Sequence, residues 1–366
     1  PNATAMAGHS GSGLPSILTG RFSQDSSCLA VGTATGFQLY TCEPFALTAT
    51  CNRGDDGGVR VLEMLFSSSL VAFVGAGQKP GDSPRQLRLW NMVSNELICE
   101  LSFASAVIGV RMNRTRLLAI LESRIHVFEL STMKLLHTVE SANNPRGLLA
   151  LSSSAETASC VFPASGVGEV IYYDAKHLHA LSTISAHRGA LACLSLSTCG
   201  SLVATASERG TVVRVHSFPE GVPQHTLRRG SVAATIYSLA FSPGVFRGDK
   251  SERGAQLLCA SSSTGTVHVW SLNAQRGAVT SAKANAGVQL PLFTGERDFA
   301  SVKLRTAPGT HCTAALRDSR HGTRPGEVAH SLYVLTAEGA WFSYLLDPLC
   351  GDKCLLQDER RVLGTK

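Results

Sequence analysis

Two adjacent arginines, Arg228 and Arg229, stand in the run Leu227-Arg-Arg-Gly230 and carry the sharpest chemistry in this sequence. A guanidinium suits phosphate because its planar fork donates paired hydrogen bonds and keeps its charge. In extended chain, successive side chains point to opposite faces, so the pair is expected to seed two separate anion pockets. Gly230 is expected to let the chain turn sharply after them. Upstream lie His187, Thr205, Ser207, Arg209, Thr211 and Arg214, and downstream lie Ser261, Ser262, Ser263, Thr264, Thr266 and His268. Hydroxyls donate to phosphate oxygens, and histidine does so in either protonation state. For any single Ser or Thr, turn capping is the competing reading. The Ala186-His187 dipeptide is equally suited to a purely structural hydrogen bond.

Charge supports an anionic partner. The net charge is +6, from 33 Lys/Arg against 27 Asp/Glu. Residues 201–330 hold 15 Lys/Arg and 8 Asp/Glu, while the rest of the chain holds 18 and 19, so the whole excess lies in one third of the sequence. A localised basic surface implies nucleic acid, phosphoinositide or an anionic membrane. Aromatic residues make up only 6% of the chain, which leaves few for base stacking and argues against nucleic acid. No nucleophile elbow, paired His-Glu metal motif or phosphate loop is present, so no catalytic residues are assigned and no enzyme is expected.

The remaining composition bounds the class. With 366 residues, 44% of them hydrophobic, the chain can bury a large core. Its 11 cysteines follow no repeating spacing and no secretory signal is recognised, which predicts free thiols in a reducing compartment. The Cys350–Cys354 spacing lacks a second Cys/His pair, so neither a metal nor a cofactor is expected. Asn113-Arg-Thr115 fits the glycosylation pattern, to which a cytosolic protein is not exposed. No apolar run reaches the roughly 18 residues that span a bilayer.

The elements that must position the arginines are short and alternating. Seven runs share one shape: Gly36–Tyr40, Arg88–Asn91, Arg124–Phe128, Glu169–Tyr173, Gly210–His216, Gly265–Trp270 and Gly339–Tyr344. From Tyr40, Trp90, Phe128, Tyr173, His216, Trp270 and Tyr344 the steps are 50, 38, 45, 43, 54 and 74 residues. A step near 40–45 with such a strand is the mark of four-stranded propeller blades. A blade cannot bury both faces alone, so neighbours stack and ring closure removes the exposed ends. The segments at 28–34, 201–207 and 256–262 read as similar unit starts. The expected fold is all-β, a seven-bladed β-propeller of WD40-like blades over 15–363, behind a flexible segment 1–14. A tail strand around Lys353–Leu363 is expected to close the ring on the first blade.

Three insertions stand out: 244–256, 273–296 and 306–328. The first and third are polar and rich in Gly and Arg, the composition of solvated loops. The second sets Arg276 and Lys283 beside Val279, Val288, Leu290, Leu292 and Phe293. Apolar residues beside cations suit a segment that enters a membrane interface, and packing back on the propeller is the competing reading.

The stretch from Ala186 to Gly230 closely resembles the PROPPIN family, the WIPI-type phosphoinositide-binding propellers of autophagy. Segments 22–45, 110–141 and 258–272 resemble the same family in order, so the likeness spans about residues 15–362. It implies two headgroup sites for phosphatidylinositol 3-phosphate and the 3,5-bisphosphate. The first would use His187, Ser207, Arg209, Arg214 and Arg228; the second would use Arg229, Ser262, Thr266 and His268. It also implies that the loop 273–296 of the sixth blade inserts into the bilayer through Val288, Leu290, Leu292 and Phe293. A lipid-transfer partner would dock near blades two and three. The chain would be a cytoplasmic monomer recruited peripherally to phagophore and endosomal or vacuolar membranes. A protein-interaction scaffold with no essential lipid binding is the alternative. Leu227 replaces the commoner Phe, and the inserts 244–256 and 306–328 are not typical of the family.

Overall fold

The computed structural model describes residues 16–54, 57–79, 81–154, 156–243, 256–272, 295–319, 329–346 and 352–363. The segment 1–14, residues 244–255 of the insert 244–256, and residues 273–294 of the insert 273–296 with Val279, Val288, Leu290, Leu292 and Phe293 lie outside the described residues. All of the regular structure described is β-strand. Short runs of alternating apolar residues, broken by turn-forming Gly, Ser, Asn and Asp, fold this way because a pleated strand sends side chains to two faces in turn.

Among the described residues, twenty-eight strands form seven blades of four. Blade 1 holds β1 (Ile17–Phe22), β2 (Cys28–Thr33), β3 (Gly36–Cys42) and β4 (Phe45–Asn52). Blade 2 holds β5 (Val59–Met64), β6 (Leu70–Gly75), β7 (Gln86–Asn91) and β8 (Glu96–Ser102). Blade 3 holds β9 (Gly109–Met112), β10 (Arg116–Ile120), β11 (Arg124–Glu129) and β12 (Leu135–Glu140). Blade 4 holds β13 (Ala150–Leu151), β14 (Ser159–Pro163), β15 (Glu169–Asp174) and β16 (His179–Ser185). Blade 5 holds β17 (Leu191–Leu196), β18 (Leu202–Ser207), β19 (Val212–Ser217) and β20 (Pro223–Arg228). Blade 6 holds β21 (Ile236–Phe241), β22 (Leu257–Ser262), β23 (Thr266–Ser271) and β24 (Ala300–Lys303). Blade 7 holds β25 (Cys312–Ser319), β26 (Ala329–Thr336), β27 (Ala340–Leu346) and β28 (Asp352–Arg361). Within each blade the strands pair antiparallel in chain order.

The seven runs read from the sequence are the third strands β3, β7, β11, β15, β19, β23 and β27. Three other expectations are corrected. The segments at 28–34, 201–207 and 256–262 are second strands, not unit starts. The insert 306–328 is not one loop, because it contains β25, whose Cys312, Ala314 and Leu316 are 0%, 2% and 0% exposed. The tail does not join the first blade: β28 pairs antiparallel with β27 as the outer strand of blade 7 and touches β24 through a short parallel pairing.

The core is divided by seam. Seven apolar clusters each draw from two neighbouring blades, and the seventh joins blades 7 and 1. That closing seam holds Ile17, Leu29, Val31 and Tyr40 against Tyr333, Leu335, Trp341 and Val362. Trp341 is 1% exposed and stacks on Phe45 at 4.1 Å and Tyr333 at 5.7 Å. The ring is therefore closed by side-chain packing, supported by the Leu363 N–H donating to Tyr40 Oη at 3.1 Å. Truncating Trp341 to Ala should cost about 3–5 kcal/mol, read as a lower urea midpoint, with the loss centred on blades 7 and 1 by hydrogen exchange.

Candidate functional site

The register of blade 5 separates the two arginines. Val213, Val215 and Leu227 project toward blade 6 and join Ile236, Leu258, Ala260 and Trp270 in the seam between blades 5 and 6. Alternate residues face blade 4. Val203 packs there with Tyr172 and Ala186, and the same face carries Thr205 and Ser207 further along β18. Thr205 pairs with Arg214, Arg214 with Thr226, and Val212 with Arg228. Arg228 thus shares a face with Thr205, Ser207 and Arg214, while Arg229 continues on the face of Leu227, turned to blade 6.

The first set lies where the seam between blades 4 and 5 changes from apolar to polar. The Arg214 Nη1 donates to the Ala186 carbonyl at 2.5 Å. His187 is 7% exposed, and its Nε2 lies 3.0 Å from Thr205 Oγ1. Burial drives the His187 pKa down from 6.5 to about 4, partly offset by the hydrogen bond with Thr205, so the ring is neutral. His187 thereby performs the structural role open to it in the sequence, bracing β18 from the link that precedes β17. Ser207 is buried at the end of β18 and Arg209 is exposed in the following turn. Arg228 is half-buried at the end of β20.

The second set lies across the seam between blades 5 and 6. Arg229 is 8% exposed, its Nε donates to the Gly210 carbonyl at 2.8 Å, and its Nη2 donates to the Val232 carbonyl. Burial lowers its pKa from the usual guanidinium value. The sequence did not signal these two bonds, which use two of five guanidinium N–H donors. Gly230 does not adopt a positive φ, and a side chain there would meet open space; the chain bends directly after it, at Ser231 and Val232. On blade 6, Leu258 and Ala260 face blade 5 in the same seam. Ser262 continues that face, and its Oγ lies 2.9 Å from Thr264 Oγ1. Thr266 and His268 alternate with Val267 and Val269, which face blade 7. His268 Nδ1 lies 2.9 Å from Asp298 Oδ2, a partner the sequence reading missed. The His268 hydrogen bond holds the Asp298 carboxyl below its usual range. Ser261 belongs to neither set; it is buried against Ser238 and the Cys312 carbonyl.

The insert 273–296 returns beside these residues. Its last residue, Glu296, bridges Leu227 in parallel, donates its N–H to the Thr226 carbonyl and accepts from the Arg228 N–H, both at 2.8 Å. Its carboxylate Oε1 lies 2.9 Å from His225 Nδ1. Val288, Leu290, Leu292 and Phe293 lie outside the described residues.

A different cavity, about 190 Å³, follows the inner strands along the ring axis and touches no residue of the two sets. It contains the Arg21–Glu63 ion pair and Arg111, whose pKa burial lowers to about 9. Arg111 donates to the Leu149 and Val110 carbonyls and so braces the inner strands. Among the described residues no His/Cys/Asp/Glu group could hold a metal ion. All ten described cysteines are free.

The PROPPIN family model matches residues 17–302. Autophagy-related protein 18 of Yarrowia lipolytica is 34% identical over 393 residues, covering 91% of this chain and 93% of that protein. Autophagy-related protein 18 of Dictyostelium discoideum is 34% identical over 374 residues, covering 95% and 94%. Among solved structures, Kluyveromyces lactis Hsv2 superposes with a TM-score of 0.70 at 18% identity, covering 95% of this chain and 99% of that one. A complex of KlAtg21 with the coiled coil of AgAtg16 gives 0.72 at 23% identity, covering 94% and 99%. These distant structures share the fold.

Neutral His187 makes stability depend on pH. Its folded pKa of about 4 lies below the 6.5 of an ordinary imidazole, so the unfolded chain takes up the proton first. The contribution is complete above pH 6.5 and is lost as pH falls toward 4, by about 3 kcal/mol at most. His311 is lowered to about 4 by burial and titrates in the same window. In His187→Gln the unfolding free energy should therefore fall less steeply with acidification than in the wild type, measured by urea melts across this range.

Proposed function

This chain belongs to the PROPPIN family, and from that premise we propose that it docks on membranes by gripping phosphoinositide headgroups with Arg228 and Arg229. The family is one of autophagy-related, non-enzymatic scaffolds and effectors. The observation that carries the proposal is the register of β20, which sends the two guanidinium-bearing side chains to opposite faces of one sheet. Each would then be served by a set of hydroxyl and imidazole side chains drawn from its own seam. His187, Ser207, Arg209 and Arg214 accompany Arg228, and Ser262, Thr266 and His268 accompany Arg229. This chemistry suits a phosphate-bearing headgroup, and the family resemblance implies phosphatidylinositol 3-phosphate and the 3,5-bisphosphate as the ligands.

Magnitudes explain why two pockets are needed. A basic residue near an anionic leaflet contributes about 1 kcal/mol and discriminates poorly among lipids. A shallow site for one headgroup is weak on its own. Two sites on one rim make the second capture effectively intramolecular, adding a factor of roughly 10²–10⁴. The insert 273–296 would then add apolar burial through Val288, Leu290, Leu292 and Phe293 and slow release. The protein would arrive where the lipid is dense, on phagophore, endosomal or vacuolar membranes.

A bound propeller still exposes its other rims, so a scaffold role is compatible with lipid capture. The outer strands of blades 2 and 3 expose Leu97, Ile98 and Leu135 by 46%, 54% and 47%. The family resemblance implies that an autophagy protein, such as a lipid-transfer partner, docks near these strands, and the apolar residues on β8 and β12 are open to such a partner.

Two experiments address the lipid reading. Arg228→Glu/Arg229→Glu should abolish sedimentation with vesicles carrying phosphatidylinositol 3-phosphate, and either single substitution should weaken it by roughly 10²-fold through lost avidity. Circular dichroism checks that the fold survives the loss of the Arg229 bonds to Gly210 and Val232. A folded double variant that still sediments would remove the assignment. Separately, Leu290→Asp/Leu292→Asp should speed dissociation from the same vesicles while leaving soluble headgroup binding unchanged, a split that stopped-flow and calorimetry can read.

A further inference from the structure

The turn between β22 and β23 holds a small cradle that the arginine pair and its companions do not account for. Gly265 sits there at φ 69° with no side chain. A methyl group built on it would lie 3.7 Å from Thr306 Oγ1 and 3.8 Å from Lys303 Nζ. Lys303 arrives by register, since β24 pairs it with Thr266 and pairs Ser301 with His268. Its exposed side chain donates from Nζ to the Thr264 carbonyl. That neutral partner occupies one of three ammonium protons. Thr306 Oγ1 is buried with no hydrogen-bond partner. A covered hydroxyl left without a partner is an unfavourable arrangement that a bound acceptor relieves.

The cradle is also tied to the link that follows Arg229. Ser263 donates its N–H to the Thr235 carbonyl at 2.9 Å, and Thr235 donates its N–H to Ser263 Oγ at 3.1 Å. The Leu304 N–H donates to the Gly265 carbonyl at 2.8 Å, closing the cradle from the side of β24. A cation, an unsatisfied hydroxyl and a glycine turn thus meet beside Ser262 and Thr266.

We propose that Gly265, Lys303 and Thr306 form an additional phosphomonoester subsite adjoining the pocket of Arg229, Ser262, Thr266 and His268. The inference rests on the headgroup reading of that pocket and deepens it. His268 is already matched by Asp298 and Arg229 is partly committed to two carbonyls. One phosphate can be served by the remaining Arg229 donors, whereas a second phosphate on the same inositol ring requires another cation. Lys303 is placed to supply it by swinging its ammonium from the Thr264 carbonyl onto the phosphate. Thr306 then donates its hydroxyl to a phosphate oxygen.

The test compares phosphatidylcholine vesicles carrying phosphatidylinositol 3-phosphate with vesicles carrying the 3,5-bisphosphate at equal mole fraction. Lys303→Gln should weaken bisphosphate binding about tenfold, the equivalent of one charge-assisted hydrogen bond, and change monophosphate binding less than about twofold. Thr306→Val, which keeps the shape and removes the hydroxyl, should shift selectivity in the same direction by a smaller factor. Equal loss on both vesicles would make Lys303 a general surface charge and overturn the subsite, as would no loss on either. If wild-type protein binds neither vesicle, the headgroup reading itself fails. Calorimetry with soluble inositol 1,3,5-trisphosphate and with inorganic phosphate then decides: binding lost in Lys303→Gln keeps a soluble phosphate site, and absent or unchanged binding removes it.

Discussion

Sandwiching of each blade between two neighbours is the constraint on which the rest of the structure depends. A sheet with water on one face can alternate apolar and polar residues, but a propeller blade must be apolar on both faces over its middle. The strands obey this. In β22, Leu257 and Cys259 serve the seam with blade 7 while Leu258 and Ala260 serve the seam with blade 5. Against that background a polar residue on a seam-facing position is conspicuous, because it interrupts a surface that stacking would otherwise bury. Thr205, Ser207 and Arg214 interrupt one seam, and Ser262, Thr266 and His268 interrupt the next. The two candidate pockets are therefore places where the apolar packing stops.

The same constraint makes the arginine pair usable. Had Arg228 and Arg229 stood on a loop, their guanidinium groups would share one patch of solvent and repel each other. Pairing of Arg228 with Val212 instead fixes it on the blade 4 side. Leu227, buried in the seam of blades 5 and 6, anchors the opposite parity on which Arg229 follows. A one-residue slip of β20 would place Leu227 among the hydroxyls and drive an arginine into the core, so the seam holds the register. The affinity argument thus rests on core packing: Leu227 orients the cations without touching a ligand.

Most of the architecture was legible because the third strands repeat an aromatic-ended alternation, which the seams demand. The errors have physical causes. The strand β25 was hidden in the insert 306–328 because its small apolar residues Cys312, Ala314 and Ala315 lie between polar, Arg-rich flanks. The tail was assigned to the first blade because sequence shows that a last strand exists but not its partner; here the closing seam of Trp341, Phe45 and Tyr333 does that work without a shared sheet. Blades 5 and 6 also differ in the turn that leads into the third strand. Glycine alignment matches Gly210 with Gly265, yet register matches Arg214, opposite Thr205, with His268, opposite Ala260. The turn 208–211 has one residue more than 263–265, and only pairing reveals it. The carbonyl partners of Arg229 were invisible for a simpler reason: backbone acceptors leave no mark on residue type.

The edge of β20 shows how the propeller can bring an apolar insert and charged pockets to one place. An outer strand presents unpaired backbone groups that must be covered or they invite association. Here Glu296 covers part of that edge, exchanging backbone hydrogen bonds with Thr226 and Arg228 and setting its carboxylate beside His225. The chain leaving the insert is thereby stitched to the strand that carries the arginine pair, one blade away from the strands that flank the insert. That attachment fixes where the insert 273–296 ends. Since β20 ends at Arg228 and the insert ends at Glu296, the two are separated by a single hydrogen bond, and the position of one constrains the other. Under the proposed lipid reading that attachment would matter, because headgroup capture and apolar insertion would have to face the same leaflet to reinforce each other.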